Sequence, residues 1–184
     1  RFADTNVDHN LAETRRLHVA GLMAAALLGA QPPQTHAQHE NLNALLWIQT
    51  SAEYAAAASQ TYHMARRSLA RALQDKNWTA ALEQKGSYKK LPPAVVLDLD
   101  ETVLDNSSFV VRRMEEFRLY SENSWSKWMA ELSAGLVPGS REFLEHAVER
   151  GVTPIFITNR SCQPTDGDDP TVVQLRQLGI PLSH

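Results

Sequence analysis

The stretch from Ala94 to Asn106, AVVLDLDETVLDN, constrains the fold more than any other. Ala94 to Leu97 is apolar and mostly branched, with Pro92–Pro93 before it and acids after it. Such a run reads as a buried strand. At its C-terminal end stand two carboxylates, Asp98 and Asp100, with Thr102 beyond. In open α/β sheets the chemistry gathers at the carboxyl ends of strands. Two unit charges ~4 Å apart repel by roughly 4 kcal/mol at an effective dielectric of about 20. Paired acids in that position therefore ask for a cation or a catalytic task. A plain acidic strand end is the alternative, and the commoner one for an isolated D-x-D. The apolar strand before this pair and DETVLDN after it argue for chemistry here.

The remaining bounds are few. A chain of 184 residues, 43% hydrophobic and 21% charged, suits one globular domain. Its net charge of −3 gives no argument for a nucleic-acid polymer or an anionic membrane surface as partner. The single cysteine, Cys162, excludes an intramolecular disulfide and a cysteine-rich metal site.

Along the chain, residues 1–37 read as a leader. Arg15–Arg16 precedes the apolar run Leu17–Ala30, which has signal-peptide length and is too short to span a bilayer comfortably. Pro32 and Pro33 follow, and Thr35-His36-Ala37 offers cleavage after Ala37. The alternative is an ordinary buried Ala/Leu helix. On the export reading the protein is periplasmic or secreted, with no transmembrane span in the mature chain. No cysteine follows the apolar run to carry a lipid, and outer-membrane association is left open. Residues 38–184 form the domain.

Asn41 to about Gln84 is helical by composition and period, through Leu42, Leu45, Leu46, Leu69, Ala72 and Leu73. Trp78, Ala81 and Leu82 suggest a further short helix. His63, Arg66 and Arg67 form a solvated helix face rather than a phosphate site. Val110 to Leu136 is helical and partly cap-like, with Ser124 capping a helix whose Trp125, Trp128, Met129 and Leu132 share one face. Those rings pack in the core or shape a pocket. After Pro138–Gly139, the stripe Phe143, Leu144, Ala147, Val148 marks a helix that Gly151 ends. Thr153 to Ile157 is the second strand, parallel to the first, and it ends in Thr158-Asn159-Arg160. Asp169 and Pro170 open a last helix with Val172, Leu175 and Leu178 on one stripe. Ile180 to Leu182 begins a third strand.

DLDET resembles the first motif, D-x-D-x-T, of the haloacid dehalogenase superfamily. LWIQTSAEY (Leu46–Tyr54), VVLDLDETVLDN (Val95–Asn106) and VPGSREFLEHAVERGVTPIFITNR (Val137–Arg160) resemble the class C non-specific acid phosphatases, bacterial secreted or lipid-anchored enzymes. The likeness covers roughly Asn41 to Leu182. One departure is Phe109, where that family usually has Tyr. The ring survives for packing and the hydroxyl is lost.

The resemblance implies an α/β fold, a haloacid dehalogenase-like Rossmannoid parallel sheet with a helical N-terminal layer and cap. It implies hydrolysis of phosphate monoesters with Asp98 as nucleophile and Asp100 as acid and base. Thr158 and Asn159 would hold the phosphate. Mg2+ would be bound by the Asp98 side chain and the Asp100 backbone carbonyl. A lysine and an acidic pair expected after later strands are missing. The sheet is therefore expected to be incomplete and the chain an inactive or weakly active fragment. Gly167-Asp168-Asp169 imitates the acidic pair but comes too soon after the second strand, and Asp169 has a simpler role as a helix cap. A narrower 5′-nucleotide phosphatase and a non-catalytic helical binding protein are the rival readings.

Overall fold

The computed structural model describes residues 41–116, 118–161 and 169–182. The leader with its apolar run, Cys162 and Gly167-Asp168 lie outside the described residues. The first helices are α1 (Leu42–Thr50) and α2 (Ala52–Gln74). The break between them is Ser51, extended at φ −87°, ψ 135°, whose hydroxyl accepts the Tyr54 amide as the N-cap of α2. α2 ends at Asp75. The expected short helix around Trp78–Leu82 is absent. The Asp75 carboxylate accepts the Asn77 amide (2.9 Å) and Thr79 engages Ala81 and Gln84, so side chains have taken over the local hydrogen bonding. Leu82, 88% exposed, has no core to face.

β1 (Ala94–Leu97) pairs in parallel with β4 (Thr153–Phe156), in the register Leu97↔Phe156. Between them come β2 (Leu104–Asp105), α3 (Ser107–Glu115), α4 (Glu122–Ala130), β3 (Gly135–Leu136) and α5 (Ser140–Glu149). β2 and β3 form a small antiparallel ladder. α6 (Pro170–Gln177) follows β4. Asp169 caps it and Pro170 stands in its first turn, as expected. Residues 180–182 form no strand. Ile180 is buried in the core instead.

The cap of α4 is Ser121, not Ser124. Ser124 is the third residue of the helix and closes a capping box with Ser121. The helix expected over Val110–Leu136 is thus two helices and a strand. Leu132 falls beyond α4, with φ +54°.

The core gathers Leu97, Leu99, Val103, Leu104, Phe109, Trp128, Phe143, Leu144, Leu175 and Ile180. It lies on one side of the β1–β4 pair. On the other side Val96, Ile155 and Ile157 are 58%, 44% and 65% exposed. β1 is therefore only half buried, against the expectation of a buried strand. The apolar run describes what both faces are made of, and helices among the described residues cover one. No helix of the described residues is long and apolar enough to cross a membrane.

Candidate active site

Both parallel strands deliver their following residues to the same end of the sheet. The Ile157 amide still bonds the Leu97 carbonyl (2.9 Å), so Asp98–Asp100 and Thr158–Arg160 leave side by side. After β1 the chain folds into a tight loop in which the Leu99 carbonyl accepts the amides of Thr102, Val103 and Leu104. Glu101, at φ +57°, takes the left-handed conformation that closes it. The loop is pinned from outside by the Tyr62 hydroxyl of α2, which donates to the Thr102 carbonyl (2.5 Å). Burial, with Tyr54 nearby, pushes the Tyr62 hydroxyl up to about 12.

Asp98 is exposed. One of its oxygens accepts the Leu99 amide (2.8 Å), and no donor among the described residues bonds the other. Asp100 is half-buried and differently engaged. The Arg160 guanidinium forks onto it, Nε at 3.0 and 3.1 Å from the two oxygens and Nη2 at 2.6 Å from Oδ1. Asn106 Nδ2 donates to the same Oδ1 (2.8 Å). Asn106 is itself 2% exposed and its carbonyl oxygen accepts Trp128 Nε1 (2.9 Å) and Arg160 Nη2 (3.3 Å). Its amide nitrogen is thereby turned toward Asp100. Arg160 also lies over the Trp125 ring, 5.3 Å from its centroid. Burial pushes the Glu101 carboxyl up despite its bonds from Asn106, and Asp100 and Asp105 add to the rise.

Thr158 is half-buried and its hydroxyl oxygen accepts the Arg160 amide (3.2 Å), leaving its hydrogen available to donate. Asn159 is exposed. The fold thus brings Asp98, Asp100, Thr158 and Asn159 to one end of the sheet. Sequence reasoning passed over Arg160 and Asn106, which join the two strand ends. An arginine just past a strand tip, opposite paired acids, was the available signal.

The oxygen donors at Asp98 suit a hard cation. The Asp100 side chain is taken up by Arg160, which leaves its backbone carbonyl for a metal. Among the described residues no three acids, histidines or cysteines cluster closely enough to hold an ion. The donors present fit a hard divalent cation such as magnesium. Phe109 is 5% exposed and its ring meets Trp125 and Trp128, 5.2 and 5.7 Å between centroids. That is the packing role a ring without a hydroxyl allows. His63 is exposed, in keeping with a solvated face. An open depression of about 580 Å³ lies where α1 meets α2 and β2, lined by Gln49, Ser51, Tyr54, Asp105, Ser107 and Pro138 among others, with neither Asp98 nor Thr158 on its wall.

Comparison with known proteins identifies the family. Residues 9–183 match the family model described as HAD superfamily, subfamily IIIB (acid phosphatase). Two crystal structures of the class C acid phosphatase from Bacillus anthracis, one with tungstate bound, are similar at 34% identity and a TM-score of 0.62. The match covers 77% of this chain and 53% of each of those, so the chain spans about half their length. With the DLDET and ITNR segments at adjoining strand tips, and the family model matching nearly end to end, this chain belongs to subfamily IIIB of the HAD superfamily, the acid phosphatases.

Proposed function

We propose that this chain carries the nucleophile of an exported acid phosphatase that hydrolyses phosphate monoesters through an aspartyl-phosphate. The observation that carries the reading is the contrast between its two acids. Asp98 is exposed, with one oxygen unengaged among the described residues, as a nucleophile must be, while Asp100, two residues on, is held by Arg160 and Asn106. In the first step an Asp98 oxygen attacks phosphorus, and the bond from phosphorus to the ester oxygen breaks. Asp100 gives its proton to that oxygen, and the alcohol leaves. In the second step Asp100 takes a proton from water, whose oxygen attacks the phosphorus. Inorganic phosphate departs and the Asp98 carboxylate is restored. The Thr158 hydroxyl and the exposed backbone by Asn159 hold phosphate oxygens. Magnesium, held by the Asp98 carboxylate and the Asp100 carbonyl, would offset the negative charge of ester and acids.

Phosphoryl transfer depends on neutralising charge. Here the guanidinium nearest the strand tips is engaged by Asp100, so turnover by this chain is expected to be slow. Asp98→Asn should abolish hydrolysis of an aryl phosphate in the presence of magnesium, because the amide is a poor nucleophile and a weaker ligand. Thr158→Ala should be milder, at about 10²- to 10³-fold, the usual loss for one charge-stabilising donor. Near-normal activity of Asp98→Asn would refute the assignment. Export predicts mature protein beginning at Gln38 in the periplasm or medium. Cytoplasmic protein that keeps Leu17–Ala30 would overturn that part.

A further inference from the structure

We propose that Arg160 is the positioning residue for Asp100, and that by saturating Oδ1 it makes Oδ2 the oxygen that exchanges the proton with the ester. The proposal rests on the phosphatase reading above and deepens it. Oδ1 accepts three bonds: from Arg160 Nη2 (2.6 Å), Arg160 Nε (3.0 Å) and Asn106 Nδ2 (2.8 Å). Oδ2 accepts one, from Arg160 Nε at 3.1 Å. A carboxyl oxygen has room for about two hydrogen bonds in its plane. Oδ1 is therefore full, and Oδ2 keeps a lone pair for a proton.

The clamp is itself fixed on every side. Trp128 and Arg160 Nη2 orient Asn106, and the Trp125 ring lies against the guanidinium. The Arg160 side chain is only 2% exposed, and its Nη1 is buried with no hydrogen-bond partner among the described residues. An unpaired buried donor on a charged group is unfavourable for folding. A structural ion pair at this place has no need of it. Directing Nε and Nη2 onto Asp100 while Trp125 fixes the plane of the fork is a geometry that accounts for it. Arg160 touches neither ester nor phosphate in this role and acts through Asp100 alone.

The step Asp100 serves is protonation of the leaving oxygen, so the effect of losing Arg160 should depend on the leaving group. An aryl ester releases a stable phenolate and needs the proton little. An alkyl ester releases an alkoxide and needs it most. The wild-type chain, Arg160→Gln and Arg160→Lys should be compared on an aryl and an alkyl phosphate with magnesium, after thermal melts show which variants fold. Arg160→Gln should lower kcat/KM for the alkyl ester about tenfold or more beyond its effect on the aryl ester, a share of the ~10²–10⁴ that general acid catalysis supplies. Arg160→Lys keeps the charge but loses the fork, and should show the same bias to a smaller degree. In an Asp100→Asn background, Arg160→Gln should leave the alkyl-to-aryl ratio unchanged. Equal losses on both esters in the folded variants would overturn the role of Arg160 and leave the phosphatase reading standing. Turnover that survives Asp98→Asn would overturn the reading and the proposal together.

Discussion

Gly139 offers a direct test of how the helical layer meets the catalytic half of the fold. It caps the N-terminus of α5 at φ +89°, and a Cβ built there would lie 3.0 Å from Tyr62 Cβ and 3.2 Å from Ser59 Cα, both on α2. Gly139→Ala therefore meets two penalties. The left-handed backbone disfavours an L side chain by about 1–2 kcal/mol. Forcing α2 away adds about 1–3 kcal/mol, the usual range for overpacking. Ala also restricts the unfolded chain, which returns ~0.4–1 kcal/mol. Gly151 is the control, at φ +72° with nothing within 4 Å of its built Cβ. Gly151→Ala carries the backbone penalty and the same unfolded-state gain, without the contact. The difference between the two variants thus isolates the contact, at about 1–3 kcal/mol. Urea unfolding followed by circular dichroism would measure both. Equal losses would refute the claim that α2 and α5 meet at a fixed separation here. The contact also bears on the site, because the Tyr62 hydroxyl holds the Thr102 carbonyl in the loop that carries Asp100. Phosphatase activity should consequently fall in Gly139→Ala more than in Gly151→Ala under conditions where both are folded.

Two shorter predictions follow from other elements. His146 is buried on α5, and its burial, with Arg66 of α2 and Arg150 close by, holds its imidazole below the ordinary value, against a weaker opposing pull from Glu149. The unfolded chain then binds the proton more readily, so stability falls as pH drops through ~6.5. Melting curves between neutral and mildly acid pH should decline less steeply for His146→Gln than for the wild type, and parallel curves would sink the argument. Asp169 accepts the Thr171 amide (2.8 Å) as the cap of α6, so Asp169→Ala should cost about 0.5–2 kcal/mol in stability while calorimetric titration finds magnesium binding unchanged.

What the sequence made legible was what chemistry writes locally. The bounds of the strand Ala94–Leu97 are legible to the residue, because prolines on one side and acids on the other punctuate it. The Asp169–Pro170 start of α6 was equally plain, since a capping acid followed by proline has few other uses. Ser121 and Ser124 are hard to tell apart in the sequence because both can cap, and the capping box uses both. The ladder of β2 and β3 is only two residues deep on each side, too short for any period to register. The open face at Val96 and Ile155 was hidden for another reason, since an apolar strand announces a partner layer without saying whether one is near. The clamp on Asp100 failed to appear for a deeper reason still. Its bond to Arg160 joins positions 60 residues apart, and nothing within Thr158-Asn159-Arg160 separates a buried guanidinium from a solvated one. The parallel register supplies what the local signal lacks. Once Leu97 faces Phe156, the residues after both strands share one small region, and a cation there has the acids as its nearest counter-charges. An arginine that follows a strand tip should therefore be tried first against acids at the neighbouring tip, before it is assigned to solvent or to phosphate.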